Sequence, residues 1–371
     1  MKLFKKHAPL FLSLMVAALL TACGGGGGGG SGGGSAAAGV TVVPALGAFS
    51  AGVRVEAYDP VTGLAIGDGA TTDATGTAVI DLGTHASSFI LKVSGSATAK
   101  YFEEGLTANG TDTSFTSNDV LLALVPASAA VTKGASIGVT PLTHMAAGFA
   151  VNSLSDLKVN IPAGKNAADV MYAAMARARY ITGLPVQASE RGKITFNPLL
   201  APSVLSATTK AAGINLSQSG GYYGLYLSEL SKAVSTENTP RSSLDLAKSL
   251  FNRAAAMKPL VSANTLAINS QVVTDFLASA DLLALNSAAA AVGAGNSTFL
   301  NTCKTLPNAD ALTFNRVFER ANLLNTAAGA FVPSDNDLAQ MVLDLTFATD
   351  SKITKNLVSP FTETSTGANG C

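Results

Sequence analysis

Val139-Thr140-Pro141-Leu142-Thr143-His144-Met145-Ala146 is where this chain changes its period. Upstream, Val53, Val55 and Ala57 share one side of Gly52-Val-Arg-Val-Glu-Ala-Tyr58, and Phe89, Leu91 and Val93 alternate with Ile90, Lys92 and Ser94. The turns Asp59-Pro60-Val61-Thr62-Gly63 and Thr72-Asp73-Ala74-Thr75-Gly76 divide such runs, and Leu121 to Val125 is closed by Pro126. Short alternating runs between Gly and Asp turns predict an antiparallel β-sandwich over 39–140. Downstream the spacing turns helical. Thr140 suits an N-cap and Pro141 a first helical position. Leu142, Met145, Ala146 and Phe149 follow at i, i+3, i+4 and i+7, which predicts an amphipathic helix.

More helices follow. Ala167, Val170, Met171, Ala174, Ala178 and Ile181 share a face that ends at Gly183 and Pro185. Tyr222, Leu225, Tyr226 and Leu230 start another. Ser242-x-x-Asp245 is a capping box ahead of Leu244, Ala247, Phe251 and Ala254, and Pro259 stops that run. Val272, Phe276 and Leu283 with the alanine-rich stretch to Val292 read as one helix. Phe314 to Leu324 and Leu338 to Leu345, capped by Ser334-x-x-Asp337, complete an all-α domain over 141–371. The predicted fold class is therefore multidomain α and β, an N-terminal antiparallel β-sandwich plus a C-terminal all-α domain.

Two resemblances attach to these stretches. Gly52 to Tyr58, the Thr72-Asp73-x-x-Gly76 turn and Phe89 to Gly95, in that order, resemble the carboxypeptidase regulatory-like, transthyretin-related sandwich. That resemblance implies a non-catalytic module common in exported proteins, and no site residue transfers with it. The Thr140-Pro-Leu-Thr143-x-x-Ala146 run is similar to a junction of bacterial surface lipoproteins, where a sandwich hands over to a helical domain.

The first residues have the three parts of a secretory signal. Lys2, Lys5 and Lys6 precede an apolar Leu10 to Leu20, which is too short to span a bilayer. Leu20-Thr21-Ala22-Cys23 resembles the lipobox of bacterial lipoproteins. The resemblance implies a signal peptide over 1–22, cleavage before Cys23, diacylglycerol on its sulfur and an acyl chain on its amine. An ordinary signal peptide is the other reading, but its Ala-x-Ala pattern is missing at Leu20-Thr21-Ala22. Gly24 is not the Asp that favours inner-membrane retention in enterobacterial lipoproteins, so similarity to that rule implies the outer membrane. Gly24 to Ser35 is almost pure Gly and Ser, which reads as a coil of about 20 Å reach. Residues 23–38 are thus expected to be a lipidated tether.

Charge and cysteine usage agree with an exported body. Lys2, Lys5 and Lys6 leave with the leader, so 21 of the 24 Lys and Arg remain against 24 Asp and Glu. No basic surplus exists for nucleic acid. Charged residues make up only 13% of the chain, but 47% apolar content supports a core. With Cys23 lipidated, Cys303 and Cys371 form an even pair, and an oxidising envelope makes a Cys303–Cys371 disulfide the default.

Motifs that carry chemistry are scarce. His85 and His144 lie in different predicted domains, and neither has a Cys or His at zinc spacing. His144 reads as a hydrogen-bonded structural residue. No Gly-x-Ser-x-Gly elbow is present, and Ala163-Gly-Lys165-Asn166 lacks the first Gly and the Ser/Thr of a phosphate loop. Asp59, Asp68, Asp73 and Asp81 read as turn formers rather than calcium ligands. Glu103, Glu104 and Glu319 are the obvious acids for glycoside cleavage, with surface solvation as their plainer reading. Lys165, Arg177 and Arg179 read as complements to a helix dipole. Gly220-Gly-Tyr222-Tyr223-Gly-Leu-Tyr226 supplies the best stacking surfaces of a chain without Trp. The alternative packs Tyr222 and Tyr226 inward and leaves Tyr223 exposed.

These readings make a lipid-anchored cell-envelope protein with no cofactor, metal site or catalytic residues, in a binding or scaffolding role. Its expected partners are the membrane and an envelope protein or glycan. The facing of the body is left open. A hydrolase of glycan or peptidoglycan, and an assembly or secretion accessory that docks a membrane protein, are the alternatives.

Overall fold

The structure is a computed structural model that describes residues 39–294, apart from 108, 127–135, 162–165, most of 169–200, 216–219, 259, 263–264 and 268–269. Antiparallel-rich sheets fill the N-terminal part and helices follow, so the fold is mixed α and β. The strands are β1 (Gly39–Pro44), β2 (Arg54–Tyr58), β3 (Ala65–Thr71), β4 (Ala78–Asp81), β5 (Phe89–Ser94), β6 (Lys100–Glu103), β7 (Thr111–Ser114), β8 (Val120–Val125) and β9 (Ser136–Val139). One sheet has the order β3-β2-β5-β8 and is antiparallel throughout. A second has the order β4-β1-β9, where β1 runs antiparallel to β4 and parallel to β9. β6 and β7 form a separate antiparallel pair.

The Asp-bearing turns hold these strands by side-chain capping. Asp59 Oδ1 accepts the N–H groups of Val61 and Thr62, each at 2.8 Å. Asp73 Oδ1 accepts those of Thr75 at 2.8 Å and Thr77 at 3.2 Å, and Asp81 Oδ1 accepts that of Gly83 at 2.8 Å. Such carboxylates mimic a backbone acceptor and fix the turn locally.

Burial departs from simple alternation where the sheet has cover on both faces. Phe89, Ile90 and Leu91 are all buried, as is every residue from Leu121 to Val125. A sheet face open to water would leave alternate positions wet. The helices supply the second cover, with α1 (Pro141–Ala150) packed on β8. β8 is an edge strand, and the Leu122 N–H on its free side donates to His144 Nδ1 at 3.1 Å. A helix thus blunts an edge that would otherwise be open to pairing.

α1 starts as its sequence predicts. Thr140 Oγ1 accepts from Leu142 and Thr143 N–H, each at 3.2 Å, and Thr143 Oγ1 accepts from Thr140 N–H at 2.8 Å. The spacing predicts one buried face, but all ten residues of α1 are buried. It lies between β8 and α3 (Ser243–Ala256). Buried apolar side chains form one cluster running from Val40 to Val292, and it crosses Thr140 without a break.

Beyond α1 lie α2 (Gly221–Ser235), α3, α4 (Ser270–Leu277) and α5 (Ala280–Ala294). Of the residues predicted to share a face, Ala167, Met171, Ala174 and Ala178 are helical and buried, Val170 is helical and half-buried, and Ile181 lies outside the described residues. The Ser242–Asp245 capping box forms on α3, with Ser242 N–H donating to Asp245 Oδ2 at 3.2 Å and Asp245 N–H to Ser242 Oγ at 3.1 Å. The single helix expected from Val272 to Val292 is two, α4 and α5. Ser279 makes the break, taking Phe276 O as acceptor for its N–H at 3.0 Å while its Oγ accepts from Leu282 N–H at 3.3 Å. The later part is also not wholly helical, since β10 (Leu260–Ser262) and β11 (Thr265–Ala267) pair antiparallel. The helices expected over 314–324 and 334–345 lie outside the described residues.

α1 and α3 meet at Gly148, where an added Cβ would stand 2.5 Å from Phe251 O and 2.8 Å from the Ala254 Cβ. On an open helix face, replacing Gly would raise stability by restoring helix propensity. Here Gly148→Val is expected to lower it by about 1–3 kcal/mol through overpacking. The urea midpoint checks this, and an unchanged or higher midpoint would refute the close crossing.

Candidate functional site

A polar interior lies where β6 ends against the helices. Lys100-Tyr-Phe-Glu-Glu104 carries two acids, and both are buried, Glu103 completely. Solvated surface acids were the plainer expectation, and the structure corrects it. Glu103 Oε2 accepts from the Tyr101 hydroxyl at 3.1 Å and from Ser243 N–H at 2.7 Å. Its Oε1 accepts from Ser243 Oγ at 2.7 Å and from the Ser231 hydroxyl of α2. Ser243 is the first residue of α3, so the carboxyl sits on a helix N-terminus, where unpaired N–H groups favour negative charge.

Burial pushes the Glu103 carboxyl above its ordinary pKa, and the bonds from Ser231, Ser243 and Tyr101 work against that rise. Glu104 is raised as well, again by burial first, with Ser228, Leu205 N–H and the Lys210 charge opposing and the Glu103 charge adding. Its Oε1 accepts from Leu205 N–H at 3.2 Å, while its Oε2 has no partner among the described residues. Lys210 Nζ reaches the Glu104 backbone oxygen at 2.6 Å and lies 5.9 Å from the Phe102 ring centroid.

For Glu103 the available chemistry is positional. Glycoside cleavage needs one carboxyl to reach a leaving oxygen and another to reach the sugar or a water. Glu103 reaches neither, because four donors and complete burial commit both its oxygens to joining β6, α2 and α3.

A second buried acid ties the later helices. Asp281 on α5 takes Arg241 at 2.6 Å, Ser249 at 2.6 Å and the Arg253 guanidinium. Burial alone would raise its carboxyl, but these three partners hold it below the ordinary range.

The tyrosine cluster turns inward. Tyr223 and Tyr226 are both fully buried, so neither ring offers a stacking face, and the expectation of an exposed Tyr223 is corrected. The Tyr223 hydroxyl meets Thr140 Oγ1 at 2.5 Å and so joins α2 to the cap of α1. Leu227, Leu230 and Val234 continue the buried face that starts at Tyr223. That stripe keeps Tyr226 and Leu230 of the expected face and takes Tyr223 and Leu227 beside them, while Leu225 is only half-buried. The side chain of Tyr222 lies outside the described residues.

His144 stacks on Phe251 with ring centroids 4.6 Å apart, as befits the structural role expected of it. Its Nε2 has no hydrogen-bond partner among the described residues. His85 Nε2 lies 3.1 Å from Ser88 O. Among the described residues no group of three or more His, Cys, Asp or Glu is placed to hold a metal ion, and no helix is long and apolar enough to cross a membrane. Cys23, Lys165, Arg177, Arg179, Cys303, Glu319 and Cys371 lie outside the described residues. Comparison with protein-family models, with curated proteins and with solved structures yields no match.

Proposed function

We propose that this chain is a lipid-anchored protein of the outer membrane, held by lipid on Cys23 and presenting its folded body for binding or scaffolding rather than catalysis. The observation that carries the proposal is Leu20-Thr21-Ala22-Cys23 behind a basic and apolar leader and ahead of a Gly-rich tether. One acyl chain holds a protein to a bilayer only marginally, whereas several together make a durable anchor. In this reading the two sheets are the halves of a β-sandwich, and the helical part completes its core.

The enclosure of Glu103 and Glu104, and the commitment of Glu103, support a binding body over a glycan hydrolase. The acids nearest to a catalytic pair in the described residues are enclosed, and Glu103 is bonded on both oxygens to the fold's own donors.

Two measurements test the proposal. Cys23→Ala is expected to abolish lipid attachment and move the chain out of the membrane fraction, and normal processing with unchanged fractionation would sink the anchor. A pull-down of the lipidated chain from its own envelope, assayed for glycan and protein together, is expected to recover a partner. Recovery of neither would sink the binding role.

A further inference from the structure

One end of the body gathers exposed apolar side chains around the point where the chain from Cys23 reaches it. β1 begins at Gly39, which pairs with Asp81. The Asp81 carbonyl lies against Gly67, where an added Cβ would approach it to 2.6 Å. Gly67 is two residues along β3 from Ala65, the partner of Tyr58. The Asp59–Leu64 turn therefore stands at the same end as Gly39.

Val61 and Leu64 on that turn are 58% and 68% exposed. Val79 is 62% exposed and lies against Gly39, where an added Cβ would stand 2.8 Å from it. Leu154 belongs to the loop that Val159 ties to the turn by an N–H bond to Pro60 O at 2.9 Å. Four of the six large apolar side chains exposed among the described residues thus belong to this end. The turn is rigid. Asp59 Oδ1 caps it, and Gly63 takes the left-handed φ of 73° that closes it. Apolar side chains displayed on a built turn, rather than scattered singly, mark an interaction surface.

We propose that this end is a membrane-docking face, with Val61 and Leu64 entering the headgroup and acyl boundary of the leaflet that holds the lipid on Cys23. The inference rests on the lipid-anchor reading. The occupant follows from where the tether joins the body. Residues 24–35 are almost pure Gly and Ser and read as a coil of about 20 Å reach, so the end of the body that carries Gly39 is the end to which the anchor is tethered. Tethering turns a contact too weak to persist alone into an intramolecular one. The surrounding charges set the lipid class. Asp59, Asp81 and Asp156 outnumber Lys158, with His85 beside Asp59, so the face suits zwitterionic rather than anionic lipid.

The chain has no Trp, so one substitution makes a site-specific reporter. Leu64→Trp places it on the turn, and Ala51→Trp places it on an exposed turn at the opposite end of β2. Both are made in the full lipidated chain in phosphatidylcholine vesicles, with and without brominated acyl chains. Emission from the Leu64→Trp chain is expected to shift to shorter wavelength and to be quenched by the brominated lipid, while the Ala51→Trp chain shows neither change. A shift without bromolipid quenching would mean that a second copy covers the turn, and this overturns the proposal. Equal, solvent-like emission from both chains also overturns it. Mass spectrometry of the same samples separates the two ideas. Lipid on Cys23 without quenching sinks the docking alone, and absence of lipid sinks the anchor and the docking with it.

Discussion

Glu103→Ala is expected to cost the folded body about 2–5 kcal/mol, the range for emptying a fully buried side-chain site, with the donors it orphans adding to the loss. The substitution leaves Ser243 N–H, the Ser231 and Ser243 hydroxyls and the Tyr101 hydroxyl facing a void. Each buried donor without an acceptor costs about 1–3 kcal/mol, although hydroxyls can turn to other partners. Glu103→Gln keeps one oxygen for Ser243 and removes a charge that burial already disfavours. It is expected to cost less than about 2 kcal/mol, because the serine hydroxyls can accept from the new amide. Urea unfolding at neutral pH checks both, read as midpoint shifts at constant slope. An alanine variant within about 1 kcal/mol of the parent would show that the carboxyl is no strut. Equal losses for the two variants would assign the effect to charge rather than to hydrogen bonding.

The partners of Glu103 explain why this acid looked like a surface residue in the sequence. Ser231 and Ser243 lie 128 and 140 residues away, and no local pattern announces that two serines will close over a carboxyl. What the sequence does carry is local. The Asp59 and Asp73 turns, the Thr140 cap with Pro141, and the Ser242–Asp245 box each rest on bonds within a few residues, and each forms where the spacing puts it. The tyrosines fall between these cases. Tyr222, Tyr223, Leu225, Tyr226, Leu227 and Leu230 satisfy more than one helical stripe, so spacing alone leaves the buried face open. Thr140, whose hydroxyl meets that of Tyr223, decides it from 83 residues away. The same limit applies to α1, whose apolar spacing is real but whose polar Thr143 and His144 are buried along with it by neighbours the stretch does not name.

His144 should set the acid side of the stability profile. Its Nδ1 accepts the Leu122 N–H, so the neutral ring carries its proton on Nε2, and charging the ring would put a second proton where that N–H already points. Burial, with the Lys248 charge adding, lowers its pKa from 6.5 to about 3. The sign follows from proton counts. Between those values the unfolded chain binds the proton and the folded chain does not, so stability falls as pH drops through the window. At pH 5 the ring is worth roughly 2 kcal/mol of lost stability relative to neutral pH. Glu103 and Glu104 act in the opposite sense, because their raised values make the folded state the better proton binder as pH falls from neutral. His144→Asn isolates the ring, since an amide oxygen can take the Leu122 N–H without titrating. Loss of the stack on Phe251 will lower the variant's stability at every pH, but the pH dependence is read from the difference between the two curves. That difference is expected to close by roughly 2 kcal/mol between pH 7 and pH 5, with the variant gaining on the parent. Parallel curves would mean that the ring takes its proton equally well in both states, which its burial between β8 and Phe251 does not permit.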